Sequence, residues 1–188
     1  GLPVLISTDD QRIHDEAVRA GAEGGFLRPD HLATDGAKTL DVLIHGVDLW
    51  QERHGEEVES VMILQPTSPL RNSEDVKRAL EAWADRSPDS QSLASFASAS
   101  HLSLGILYRM EEERAVSVAP ATYSRHGEPQ LFVRNGAIYI SEVGLLRQGR
   151  ILCDHVTPLA MDPWRSVNVD DPYDLHLAEL LADRPYQP

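Results

Sequence analysis

Three short stretches of the chain carry side chains with usable chemistry. Gln65-Pro66-Thr67-Ser68-Pro69-Leu70-Arg71 gathers an amide, two hydroxyls and a guanidinium around two prolines. Each proline fixes its own φ, so the loop is stiff and its polar groups can be aimed at a ligand. The same composition also suits a rigid connector whose Ser and Thr cap the next helix. Arg28 stands directly before Pro29. A forked guanidinium held at a strand end suits a phosphate or a base carbonyl, or pairs with Asp30 or Asp35 at the surface. Asn168 and Asp170 flank Val169. In a strand that spacing puts both on one face. Two such groups could hold Mg²⁺ and bridge it to phosphate oxygens. Asp171 would then point to the opposite face, and Asp174 is placed to cap or orient the final helix.

Other chemistries find no support in the spacing. The eight histidines form no H-x-H or H-E-x-x-H arrangement, so a zinc site is not expected. Cys153 is the single cysteine; it cannot form an internal disulfide, and it reads as a small buried apolar residue. No G-x-x-x-x-G-K-[ST] or G-x-G-x-x-G loop occurs. A phosphate grip of those two kinds is therefore outside the sequence shown.

The elements that must position these groups follow from the apolar pattern. Buried strands are predicted at 2–6, 22–27 and 60–64. Helices are predicted from a cap at Asp9 or Asp10 to Gly21, from about Ala37 to His54 with Asp35 as a candidate cap, and from Asn72 or Ser73 to about Asp85. This alternation is the signature of a parallel sheet covered by helices. Beyond Ser90 the texture changes. Strands are predicted at 93–96, 105–110, 132–140 and 151–157, with a charged turn at Glu111–Arg114 and a last helix at 172–182. The expectation is a three-layer α/β domain spanning 1–188, its sheet mainly parallel, with an antiparallel extension and a site in the loops after strand C-termini.

Composition narrows the partners. Lys and Arg total 17 against 30 Asp and Glu, a formal charge of −13. A nucleic-acid-binding surface needs the opposite balance. The hydrophobic fraction of 41% suits a globular domain. No apolar run approaches the ~20 residues of a membrane span. A cytoplasmic protein without nucleic-acid or membrane partners is expected.

Read together, the blocks form an ordered pattern. Ser7-Thr8-Asp9-Asp10, Arg28 to Asp35 (R-P-x-x-L-A-x-D), Leu64 to Arg71 (L-Q-P-T-S-P-L-R), Asn135 to Ile140 (N-G-A-I-Y-I) and Ser166 to Asp174 (S-V-N-V-D-x-x-x-D) follow one another along nearly the whole chain. Arg125, Pro129, Phe132 and Asn135 add an R-x-x-x-P-x-x-F-x-x-N spacing. The sequence resembles the acylneuraminate cytidylyltransferase family, which makes CMP-activated sialic acids and related nonulosonic acids. The resemblance implies a Rossmann-like sheet of the nucleotide-diphospho-sugar transferase type. It implies attack of a sugar-acid hydroxyl on the α-phosphate of CTP, with Mg²⁺ bound and pyrophosphate released. Gln65, Arg125, Asn135, Tyr139 and Phe132 then match substrate-binding positions, with Arg125 and its neighbours meeting the acidic sugar partly across a dimer interface. Arg28 and Thr39 match nucleotide-contacting positions. Asp170 and Asn168 match the metal pair, and Asp170 and Arg28 carry the catalytic roles. The family has Asp where this chain has Asn168, which removes one negative charge from that pair. The segment at 102–132 matches a dimerisation insert, so a homodimer is expected. The family's N-terminal strand and glycine-rich phosphate loop have no counterpart here, and the resemblance implies a longer chain or another source for that strand. Two alternatives accompany this reading. One is a catalytically impaired homologue that binds a sugar acid or a partner subunit. The other is a cytidylyltransferase for a different acidic acceptor, such as the eight-carbon sugar acid of lipopolysaccharide or a phosphonate.

Overall fold

The computed structural model describes residues 2–23, 25–100, 102–124, 126 and 129–183. The chain divides into two compact units: Gly1–Met62 with Ile140–His155, and Ile63–Tyr139 with Val156–Pro188.

In the first unit, β1 (Ile6–Thr8) pairs in parallel with β2 (Gly25–Leu27), Ser7 opposite Phe26. Gly25 permits the close approach: a Cβ there would lie 2.4 Å from Ile6 Cγ2. Between them runs α1 (Gln11–Arg19), whose N-cap is Asp10. The Asp10 carboxylate accepts the Arg12 N–H at 2.7 Å and the Arg12 guanidinium at 2.9 Å. These bonds hold its pKa at about 2. α2 (Thr39–His54) follows and ends on Gly55 in the left-handed region, which closes the helix at its C-terminus. Its N-cap is Lys38 without a side-chain bond, so the expectation of Asp35 as cap is not met. The helix Val143–Arg147 (α4) buries Leu145 and Leu146 and reaches α2 through an Arg147–Asp48 ion pair at 2.6 Å.

The larger sheet contains β3 (Ser60–Leu64), β4 (Ser92–Ser98), β7 (Phe132–Glu142) and β8 (Thr157–Met161), in the order β3-β7-β4-β8. β4 and β8 are parallel, Ser95 opposite Leu159. β4 is buried from Ser92 to Ser95, as a central strand covered on both faces must be. Pro158 is tolerated because β8 is an edge strand, where its missing N–H breaks no ladder. β5 (Tyr108–Glu111) and β6 (Arg114–Ser117) form a separate antiparallel hairpin, turned at Glu112 with φ 51. The remaining helices are α3 (Ser73–Ala84) and α5 (Pro172–Asp183).

The fold is mixed α/β, and several predicted boundaries move. The strand expected at 2–6 is displaced to Ile6–Thr8, leaving Leu2 and Val4 exposed. The strand expected at 151–157 begins only at Thr157, since Ile151 to Val156 form bends and irregular backbone. Part of the strand expected at 105–110 is a 3₁₀ turn, Leu104–Ile106, started by Ser103 accepting the Gly105 N–H. No helix among the described residues is long and apolar enough to cross a membrane.

The N-terminus of α3 anchors the second unit. Asn72 and Asp75 form a capping box, each side chain accepting the other's backbone N–H. Asp75 is fully buried, and Arg165 donates to both its oxygens at 3.1 Å. That pairing raises the Arg165 pKa. Removing one partner of such a pair strands a buried charge. Arg165→Met, which leaves the fully buried Asp75 without its charged partner, is expected to lower the unfolding free energy by about 3–5 kcal/mol. Urea denaturation checks it, and the Asp75→Ala/Arg165→Met double variant should lose less than the single variant.

Candidate active site

The Gln65–Arg71 loop begins where β3 ends, and its backbone is held at both ends. Ser68 N–H closes a turn onto the Gln65 carbonyl at 3.2 Å. Arg71 reaches back: its Nη1 donates to the carbonyls of Gln65 (3.2 Å) and Ala137 (2.8 Å). Burial pulls the Arg71 pKa down and nearby Asp75 opposes the shift. It stays charged, because an arginine so far from its pKa does not deprotonate. The Thr67 carbonyl accepts the Val169 N–H at 2.8 Å. One loop therefore ties β7 and the 168–170 segment to its own position.

β7 carries an irregularity at the site. Gly136 has φ +78, a left-handed conformation unfavourable for other residues. Beside it, Asn135 Oδ1 accepts the Ala137 N–H at 3.2 Å and the Ser95 hydroxyl at 2.5 Å. Asn135 Nδ2 donates to Ser166 Oγ at 2.8 Å and lies 3.6 Å from Met161 sulfur. Both lone pairs and both N–H groups of this amide are thus occupied by protein. Asn135 shapes the site instead of offering a hydrogen bond to a ligand.

Above Gly136 lie two side-chain oxygens. A Cβ at that position would stand 3.3 Å from Gln65 Oε1 and 3.5 Å from Asn168 Oδ1. Asn168 Oδ1 is buried and has no hydrogen-bond partner. Its amide nitrogen donates to Asp170 at 2.6 Å. The segment 166–170 is not a strand, contrary to expectation, yet the Asn168–Asp170 contact shows both side chains on one side. Asp171 caps α5, accepting the N–H groups of Tyr173 (2.7 Å) and Asp174 (3.0 Å), while Asp174 accepts those of Asp170 and Asp171. Together these side chains border a hollow of about 390 Å³ lined by Gln65, Asn135, Gly136, Tyr139, Asn168 and Asp170, with Ala97, Val133, Arg134 and Ser166.

No family model matches the chain. It is 30% identical over 189 residues to CMP-N,N'-diacetyllegionaminic acid synthase of Legionella pneumophila, covering 96% of this chain and 78% of that protein. It is 26% identical to post-translational flagellin modification protein B of Campylobacter coli, covering 95% and 76%. It is 25% identical to an N-acylneuraminate cytidylyltransferase of Escherichia coli, covering 93% and 41%. The chain belongs to the CMP-nonulosonic acid cytidylyltransferase family. Its fold is shared with a CMP:2-keto-3-deoxy-manno-octonic acid synthetase solved in complex with CTP, at a TM-score of 0.62 and 16% identity over 98% of this chain and 82% of that one.

Of the residues singled out in this cytidylyltransferase from sequence, Gln65, Asn135, Tyr139, Asn168 and Asp170 line the one hollow. Phe132 does not line it and is 50% exposed at the start of β7. Arg28 and Thr39 belong to the first unit. There the Arg28 guanidinium donates to the Ser7 carbonyl (2.8 Å) and hydroxyl (3.3 Å) at the end of β1. Thr39 is the exposed first residue of α2. Arg125 lies outside the described residues.

The hollow fits Mg²⁺ in a limited way. Among the described residues no group of three His, Cys, Asp or Glu could hold a metal. Asp170 offers a carboxylate, but Asn168 turns its nitrogen toward it and buries its oxygen. Mg²⁺ accepts one carboxylate when substrate phosphates and water complete its octahedron. Asp170 suits that arrangement; a two-carboxylate cage is not formed.

Sequence reasoning misses one arginine of the hollow, Arg134, although a cation next to a site residue is a usable signal. The Arg71 guanidinium is visible in the loop motif, but its grip on the Gln65 and Ala137 carbonyls is set by tertiary packing. Gly136→Ala is expected to cost about 1–2 kcal/mol for the left-handed backbone alone. It should also shift the side-chain amide resonances of Gln65 and Asn168, measurable by ¹⁵N-edited NMR.

Proposed function

We propose that this protein transfers CMP from CTP to a nonulosonic acid and releases pyrophosphate, with the sugar acid seated in the hollow above Gly136. The observation that carries this is the convergence of Gln65, Tyr139, Asn168 and Asp170 on one hollow in a chain of this family. Amide and hydroxyl groups there suit a polyhydroxylated, N-acylated acceptor. Gln65, held by Arg71 through its own carbonyl, orients the acceptor. Arg28 and Thr39, at the strand end and helix N-terminus of the first unit, take the nucleotide phosphates. Asp170 would hold Mg²⁺, which would supply charge compensation in phosphoryl transfer. The remaining catalysis is positioning of the acceptor hydroxyl and electrostatic support.

The acceptor is assigned to the legionaminic, pseudaminic and N-acetylneuraminic class, on the strength of the relatives. A cytoplasmic location is part of the proposal. A homodimer is part of the proposal. The β5–β6 hairpin exposes Met110 (72%) and Tyr108 (57%) at alternate positions of one strand, hence on one face. Such a pair of large apolar groups suits coverage by a partner.

Two experiments test these statements. The chain incubated with CTP, Mg²⁺ and each of the three acids in turn is expected to release pyrophosphate with at least one. Asp170→Asn should reduce the rate by about tenfold or more, as loss of a charged ligand does. Silence with all three acids overturns the proposal. Light scattering is expected to give twice the monomer mass, and Tyr108→Glu/Met110→Glu is expected to give the monomer.

A further inference from the structure

The hollow of the second unit is lined by a single cation among its described residues, Arg134, and a single anion, Asp170. We infer that Arg134 binds the carboxylate of the sugar acid, an assignment that rests on the hollow being the acceptor site.

Charge makes the first argument. The chain carries a formal −13, and Asp170 adds its charge to the hollow itself. A carboxylated ligand entering there meets repulsion unless a cation answers it. The neutral lining groups, Gln65, Asn135, Ser166, Asn168 and Tyr139, cannot do so.

Availability makes the second. Arg71 is held by two carbonyls, Arg78 by the Ala160 carbonyl, Arg86 by the carbonyls of Trp83 and Ser90, and Arg165 by Asp75 and Asp162. Arg134 is exposed, and among the described residues its guanidinium meets the Tyr139 ring, 5.7 Å from guanidinium carbon to ring centroid. That contact is a cation–π one, which steadies the guanidinium and leaves its N–H edge open.

Geometry makes the third. Residues 134 and 139 are five apart, and a regular pleat would send them to opposite faces. The left-handed Gly136 interrupts the alternation, and both side chains border the same hollow. The strand irregularity that admits a ligand over Gly136 is also what turns the arginine toward it. A triphosphate would require several cations. One arginine among amides matches a single carboxylate on a neutral sugar body.

The test compares Arg134→Ala, Arg134→Gln and Arg134→Lys with the unmodified protein, folded state checked by circular dichroism. Arg134→Ala and Arg134→Gln are expected to raise the acceptor KM, and the Kd by calorimetry, by about tenfold or more, the usual cost of losing a charge-assisted hydrogen bond. The KM for CTP should stay within about twofold, and Arg134→Lys should recover part of the loss. The unmodified protein should discriminate against the acceptor's carboxylate methyl ester, and Arg134→Ala should lose that discrimination. An active enzyme whose acceptor KM is unmoved by Arg134→Ala overturns the assignment while leaving the proposed reaction standing. An equal rise in both KM values also overturns it, because it moves Arg134 to the nucleotide. An unmodified chain that neither turns over nor binds any of the acids overturns the underlying reading instead.

Discussion

The geometry of the second unit depends on one half-buried guanidinium. Arg71 takes hold of the carbonyl that begins its own loop and the Ala137 carbonyl of β7. A backbone carbonyl in a half-buried place must find a donor, and a charged donor makes a stronger bond than a neutral one. The fork of the arginine therefore sets the distance between Gln65 and the strand that carries Asn135 and Tyr139. Thr67 extends the same frame to Val169 and so to Asn168 and Asp170. Site residues from three separate parts of the chain are positioned by backbone bonds to seven consecutive residues.

Within that frame the polar side chains divide into two groups. Asn135 and Ser95 are saturated by protein and hold shape. Gln65, Asn168, Asp170 and Arg134 face the hollow with capacity left over. The orphaned Asn168 oxygen is the clearest instance, since an unpaired buried acceptor is costly and persists at places where function requires it. Asn168 brings an amide that donates to Asp170 in place of a second charge beside that carboxylate. The outcome is a site with one carboxylate, one guanidinium and several amides. Such a site suits the sugar acid proposed above, through a balance of single charges.

Much of this was legible in the residues. Asp10, Asn72 and Asp174 were readable as caps or helix-orienting groups, because capping is local and depends on spacing of two or three residues. β3 was readable in full, because a continuous apolar run between polar segments has one reading at that length. The ordered blocks around Gln65, Asn135 and Asp170 pointed to the family. Boundaries failed where tertiary pairing overrode apolarity. Leu2 and Val4 are apolar yet exposed, and Ile151 to Val156 is a bend despite two β-branched residues.

The sequence alone determined which side chains were available: an amide in a proline-stiffened loop, an Asn–Asp pair two apart, and an Asn-Gly step in a strand. It could not say that Asn168 would aim its nitrogen at Asp170, that Asn135 would be saturated, or that Arg134 and Tyr139 would border the same hollow. Those outcomes rest on Arg71 joining residues 66 positions apart and on a left-handed turn at Gly136. Such contacts belong to the folded chain, because a hydrogen bond between distant residues has no periodicity to read and a break in the pleat reverses every face beyond it.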